Sequence, residues 1–461
     1  VTDEDAVLAA CAVALADSDI VTDPDRIPTY KQDRSTGSAV GEPFAVVFPR
    51  TTEQVSAVMQ AAHKYRVPVV PRGAGSGLSG GSNAIDGSLI VCVEKMNKVL
   101  DVDVANGYVE TQPGIFNTDL RDHVAGKGLW YAPDPASKDF CSIGGNVSTN
   151  AGGLCCVKYG VTRDAVLGLE VVLADGRITR LGRRTVKGVA GYDLAGLMVG
   201  SEGTLGIVTM ARLRLRPLPP PPTTAVAVFP DLFSAGKAVE GIMNRLTPSM
   251  LEVMDRATIT AVENWRPMGL DTSAEAMLIA QSDLPGDTGM AEADALLEIC
   301  ERAGATEVYR SEDPEQGEML LGARRMAIMA LEAMGDWLLD DIAVPRSELA
   351  RAMQMITEVS ARNDVLIGTF GHAGDGNLHP TIVVPRGDEE ASVRAMVAFD
   401  EIIDIALLVG GTITGEHGVG TLKRRHLAQE LDPVAIDLHS RIKEAWDPQG
   451  ILNPGKALPR W

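Results

Sequence analysis

Two short glycine-rich segments concentrate the chemistry of this chain: Gly368-Thr-Phe-Gly-His-Ala-Gly-Asp-Gly-Asn-Leu-His379 and Gly415-Glu-His-Gly-Val-Gly420. They offer His372, His379 and Glu416 as a candidate metal triad and His417 beside it as a candidate base. Two imidazoles and one carboxylate leave open positions on a zinc or manganese ion. A spare imidazole can then take a proton from a small oxygen-bearing molecule. Three of the seven histidines fall in this stretch, where glycine lets the backbone come close to a ligand. The competing reading is that these histidines only hydrogen-bond their own loops. Asp375, between the two candidate ligands, reads as a turn former.

The elements that must position these groups have room to do so. The chain has 461 residues, 45% apolar and 23% charged, enough for two or three domains with an ample core. A formal charge of -20 argues against a nucleic-acid partner or an anionic membrane surface. The six cysteines (Cys11, Cys92, Cys141, Cys155, Cys156 and Cys300) contain no Cys-x-x-Cys pair. That excludes an iron–sulfur ligand run, does not resemble a disulfide framework, and makes the cytoplasm the expected setting. Cys155-Cys156 reads as an inert buried pair. The apolar stretch from Ala6 to Ala16 follows Asp3, Glu4 and Asp5, so it reads as a helix and not as a leader. No apolar run is long enough to cross a bilayer.

Leu218-Pro-Pro-Pro-Pro222 is the clearest boundary, a stiff stretch that neither a helix nor a central strand accepts. Before it, strands are expected near 43–49, 67–71, 88–93, 101–104, 108–111 and 204–215. Helices are expected from Thr51 and over 119–126, and a hairpin over 167–181 around Asp175-Gly176. After it, 224–229 and 275–281 read as strands and 232–244 and 290–303 as helices, a βαβ rhythm; 428–453 reads as mostly helical.

Gly75-Ser-Gly-Leu-Ser-Gly80 fits G-x-G-x-x-G, but another turn and a strand follow it, not the helix that a dinucleotide fingerprint needs. Its backbone amides can still cradle phosphates as a nest. Ser142–Gly153, Gly191–Gly196 and Gly200–Gly206 extend the theme of small-residue loops able to lie flat on a planar ligand.

Taken in order, these segments resemble a known family. Pro71-Arg72-Gly73-Ala74-Gly75-Ser76-Gly77-Leu78-Ser79-Gly80-Gly81, Pro133-Asp134-Pro-Ala-Ser137, Ile143-Gly144-Gly145-Asn146-Val147, Asn150-Ala-Gly152-Gly153 and Gly200-Ser-Glu202-Gly203-Thr-Leu-Gly206-Ile207 are similar to the flavin domain of the vanillyl-alcohol oxidase / p-cresol methylhydroxylase superfamily. The two histidine segments and Asn453-Pro-Gly-Lys456 resemble its branch of D-lactate dehydrogenase, glycolate oxidase flavin subunit and D-2-hydroxyglutarate dehydrogenase. The resemblance implies an α+β fold: a two-lobed FAD-binding domain (1–217), a ferredoxin-like cap with the metal site (218–425) and a C-terminal segment returning to the flavin (426–461).

It further implies non-covalent FAD, with 71–81 over the pyrophosphate. Pro133, Asp134, Ser137, Gly144–Val147, Asn150, Gly152, Gly153, Glu202, Gly203, Gly206, Ile207 and Asn453 would be the remaining cofactor contacts. His372, His379 and Glu416 would hold zinc or manganese, His417 would be the base, and Arg324 would bind the substrate carboxylate. The hydroxyglutarate enzymes carry a substrate lysine where this chain has Leu339, which favours a monocarboxylate. The activity implied is oxidation of a D-2-hydroxy acid, with electrons passing to a separate electron-transfer flavoprotein, iron–sulfur subunit or quinone. Two alternatives stay open: a metal-independent flavin oxidase of an alcohol or sugar, and a flavin subunit active only within an electron-transfer complex.

Overall fold

Thr51 accepts a hydrogen bond from the Gln54 amide (3.3 Å) and starts the helix Thr52–Tyr65, which buries Val55, Val58, Met59 and Ala62. That helix carries the chain from strand Ala45–Val47 to strand Val69–Arg72, and both pair in parallel with Leu89–Cys92 between them. Ile20–Val21 closes the far edge antiparallel. Leu89–Cys92 is buried at every position, the continuous apolar run of a strand covered on both faces. The helix Asp3–Ala14, opened by a Thr2–Asp5 capping box, packs against the same core through Val7 and Cys11.

In the computed structural model, which describes residues 2–458, the chain divides into two compact units. The first comprises the chain up to Gly152, Gly160–Leu218 and the chain from Glu416; the second comprises Gly153–Tyr159 and Pro219–Gly415. The division after Leu218 falls inside the proline stretch, while re-entry at Glu416 precedes the expected position 426. Besides its parallel sheet, the first unit has a five-stranded antiparallel sheet. Its order is Val99–Asp103, Tyr108–Thr111, Ile207–Arg214, Val166–Val172, Ile178–Gly182.

The C-terminal stretch forms the helices Leu427–Glu430 and Pro433–Trp446, then runs extended so that Leu452 bridges Val69. Lys443 is buried there; its ammonium donates to the carbonyls of Thr204 (2.7 Å) and Leu452 (2.8 Å) and to Asp447 (2.5 Å). One expected loop is instead structured: Ile143–Thr149 is an α-helix, because Ser142 caps it and Asn150 ends it in the left-handed conformation.

The second unit is one eight-stranded sheet in which every pairing among the described residues is antiparallel. Thr223–Phe229 and Met250–Asp255 both pair with Ala276–Ser282, which lies between them, the split βαβ arrangement of ferredoxin-like folds. Beyond Met250–Asp255 come Leu366–His372, Asn377–Val384 and Asp336–Leu339. The helix Pro314–Met334, capped by Asp313, buries Arg324 while Arg325 sits on the surface pairing with Glu318. No described helix is long and apolar enough to cross a membrane.

Candidate active site

The hairpin Leu366–His372/Asn377–Val384 sets the two histidines by register alone. Phe370 lies opposite His379 and His372 opposite Asn377. His372 and His379 are thus diagonal neighbours on one face. Their rings stand edge to face, 5.2 Å between centroids, with a ligand nitrogen of each within 4.8 Å of the other. The turn between them requires glycine at 376, where φ is +78° and a Cβ would lie 2.1 Å from the Val344 carbonyl oxygen. Asp375 does form that turn, its amide donating to the His372 carbonyl.

Each imidazole faces a buried carboxylate. His372 Nδ1 lies 2.7 Å from Glu252 Oε1, and His379 Nδ1 lies 3.6 Å from Asp341 Oδ1. Glu252 also meets Arg324, whose Nε is 2.8 Å from Oε2 and whose guanidinium stacks over Phe370 at 4.7 Å. Asp341 receives hydrogen bonds of 2.8 Å from the Asn377 amide, the Thr414 hydroxyl and the Gly415 N–H. It thereby fixes the residue that immediately precedes Glu416. Leu339 pairs with Thr381, which puts it on the same face as His379. Zinc or manganese fits this donor chemistry: with Nδ1 of His372 hydrogen-bonded to Glu252, Nε2 keeps its lone pair for an ion.

In the first unit the chain from Gly73 to Ser88 contains no helix or strand. Two of its glycines, Gly75 and Gly80, have φ near +70° to +80°. Arg72 is folded under the loop. Its Nη1 donates to the Gln32 carbonyl (3.0 Å), and a Cβ at Gly75 would lie 2.0 Å from Nη2. Burial lowers the Arg72 pKa. The Ser142 hydroxyl accepts from the amides of Ala74 and Gly145 (3.3 Å each), tying the loop to the helix Ile143–Thr149. A cradle in which glycine is demanded, with a buried guanidinium beneath it, fits the phosphates of FAD.

Several sequence-predicted residues are spent on the fold. Val147 and Ile207 have core side chains, and a Cβ at Gly144 or Gly206 would strike Pro113 or Val171. Asn150 accepts from the Arg163 amide (2.9 Å). Asn146 engages Cys141, whose thiol burial pushes up, and accepts from Asn117, which also donates to the Pro133 carbonyl. Asp134 is buried and Ser137 half-buried; Gly153 starts the heptapeptide that belongs to the second unit. Cys155 and Cys156, expected buried, are only partly buried, and both lie in that short excursion.

The foot of the glycine loop is clamped by the C-terminal chain. Ser79 donates to the His417 carbonyl (3.0 Å) and accepts from the Thr421 and Leu422 amides. Asn453 and Lys456 both donate to the Gly81 carbonyl. Glu416 sits against Gly152, where a Cβ would lie 2.3 Å from its Oε2, and 3.8 Å from His417 Nε2. Glu202, at φ +51°, accepts from the amides of Val419 and Gly420 (2.7 Å each) and so fixes the backbone just after His417.

Burial raises the Glu202 carboxyl to about 6, outweighing those hydrogen bonds and nearby Lys456. The folded state therefore favours the protonated acid. That stability is fully present below the ordinary value of 4.5 and is lost as pH rises through about 6, a change of about 2 kcal/mol. Denaturant midpoints between pH 4.5 and 7.5 should show the wild type losing about this much relative to Glu202→Gln. A difference that does not vary with pH would show that Glu202 does not titrate in this window.

The chain matches the family "FAD linked oxidases, C-terminal domain" over 218–457 and "FAD binding domain" over 43–182. It belongs to the FAD linked oxidases, flavin-dependent oxidoreductases. Among its relatives it is 43% identical to the "Glycolate oxidase subunit GlcD" of Bacillus subtilis, across 91% of this chain and 89% of that one. It is 37% identical to the "D-lactate dehydrogenase" of Anaerostipes hadrus, across 90% and 89%. The solved structure of p-cresol methylhydroxylase shares the fold, with a TM-score of 0.83 at 19% identity over 99% of this chain and 96% of that one.

Proposed function

We propose that the protein is an FAD-dependent, metal-assisted dehydrogenase of a small 2-hydroxy monocarboxylate, such as D-lactate or glycolate. The observation that carries this reading is the hairpin face on which His372 and His379 stand next to buried carboxylates and Arg324. Residues 71–81 would hold the FAD pyrophosphate. His372, His379 and Glu416, the residue after Asp341-anchored Gly415, would hold zinc or manganese. When bound, the ion supplies Lewis acidity that lowers the pKa of the substrate hydroxyl. When bound, FAD supplies the acceptor for the hydride from C2. His417 takes the hydroxyl proton and the product is the 2-oxo acid.

Arg324 faces Glu252 with Nε as an ion pair, and the Nη end of its fork is the part suited to the substrate carboxylate. Leu339 beside His379 offers a second carboxylate no partner, which favours a monocarboxylate. Names of relatives support both the substrate class and a D configuration where C2 is chiral. Electrons leave to a separate acceptor. A second reading, a flavin subunit active only within a complex, is favoured by the word "subunit" in one relative's name.

The deciding experiment is anaerobic bleaching of the flavin absorbance by D- and L-2-hydroxy acids, before and after chelation. Bleaching by a D-acid that disappears with chelator and returns with zinc or manganese is the expected result. Bleaching indifferent to chelation removes the metal from the reaction. Absence of bleaching in FAD-loaded protein favours the partner-dependent reading.

A further inference from the structure

The carboxylate of Glu252 lies on Met250–Asp255 between two partners: Oε1 hydrogen-bonds His372 Nδ1 at 2.7 Å, and Oε2 forms an ion pair with Arg324, 2.8 Å from Nε without hydrogen-bond alignment. The Glu252 side chain has no solvent exposure, and both partners are nearly as deeply buried. The strand register explains the alignment. Val253 pairs with Gly371, so one step back Glu252 comes level with His372, which in turn pairs with Asn377. Arg324 arrives from the helix Pro314–Met334 on the same side, stacked on Phe370.

From this juxtaposition we infer that Glu252 is a positioning residue that joins the candidate metal ligand to the candidate substrate-binding arginine. The inference rests on the metal reading given above. Its physical content is twofold. By accepting the hydrogen bond of Nδ1–H, Glu252 holds His372 as the tautomer whose Nε2 lone pair is available, and it raises the basicity of that nitrogen. By lying 2.8 Å from Nε of Arg324, it balances a buried cation that otherwise has a large desolvation cost. One carboxylate thereby serves both the candidate metal ligand and the anion-binding fork.

Glutamine at 252 keeps the shape but carries one acceptor oxygen and no charge, so it cannot both hold His372 and balance the charge of Arg324. The test uses FAD-loaded, metal-stripped protein titrated with Mn2+ and followed by electron paramagnetic resonance of the free ion. Glu252→Gln should weaken Mn2+ binding about 10–100-fold relative to wild type. Arg324→Gln, which leaves Glu252 on His372, should change it less than threefold, about 0.6 kcal/mol. Steady-state kinetics should show Glu252→Gln raising KM as well as lowering kcat, since both partners are loosened.

Should the single variant fail to fold, Glu252→Gln/Arg324→Gln, which buries no unbalanced charge, takes its place with the same expected loss of Mn2+ affinity. Unchanged Mn2+ affinity in a folded Glu252 variant, with His372→Ala abolishing it, overturns the inference and leaves the metal reading intact. Wild-type protein that takes up no Mn2+ overturns both together.

Discussion

Asparagine in place of His417 should leave the flavin spectrum and metal content of the protein unchanged and slow flavin reduction by the hydroxy acid about 10²–10⁴-fold, the usual contribution of a positioned general base. The local backbone should survive the change because side-chain identity does not hold it. The His417 carbonyl is taken by Ser79, and the amides of Val419 and Gly420 are taken by Glu202. The imidazole itself is partly buried near Glu416. Anaerobic stopped-flow absorbance at saturating substrate measures the loss directly. A reduction rate within tenfold of wild type would remove His417 from the role of base.

The second large effect concerns Arg324. Leucine there leaves Glu252 as a buried carboxylate with its cationic partner removed, which typically costs about 3–5 kcal/mol. It also removes the fork proposed for the substrate carboxylate, and charge-assisted hydrogen bonds worth about 1.5–3 kcal/mol translate to a KM roughly 10–150-fold higher. The double variant Arg324→Leu/Glu252→Leu isolates the charge imbalance, since removing both charges should restore much of the stability in denaturant unfolding. KM is read in Arg324→Leu alone, where Glu252 still faces His372. A wild-type KM in folded Arg324→Leu protein would make Arg324 a structural residue and place the carboxylate site elsewhere.

The sequence was most legible where spacing and geometry are the same thing. His372 and His379 are seven positions apart, and a tight hairpin between them turns that spacing into a diagonal pair on one face. The glycine loop was legible because a φ near +70° at Gly75 and Gly80 leaves few other residue types. Glu252 was not, because it lies 120 positions from His372 and no local pattern joins them. Its only signal was an acid in the middle of Ser249-Met-Leu-Glu-Val-Met-Asp255, where a buried strand should have carried an apolar side chain.

Asp341 lies two residues after Leu339, and its use depends on Thr414 and Gly415, which only the folded chain brings to it. The helix Ile143–Thr149 was hidden by its two glycines and by Asn146, poor helix formers that the Ser142 cap and tight packing against Pro113 override. Small residues there serve close packing as much as any ligand.

The first unit is written in separated stretches of chain, and this has a consequence for its biogenesis. Lys443 holds Thr204 and Leu452, Leu452 bridges Val69, and Asn453 and Lys456 grip Gly81. None of these clasps exists until translation has passed through the whole of 219–415. The second unit can therefore mature on the ribosome while the N-terminal sheets wait, with the Val69–Arg72 strand still lacking its last neighbour. The glycine loop acquires these clasps only when residues 443–456 dock, so the cradle proposed for the FAD pyrophosphate is completed after the second unit has been made.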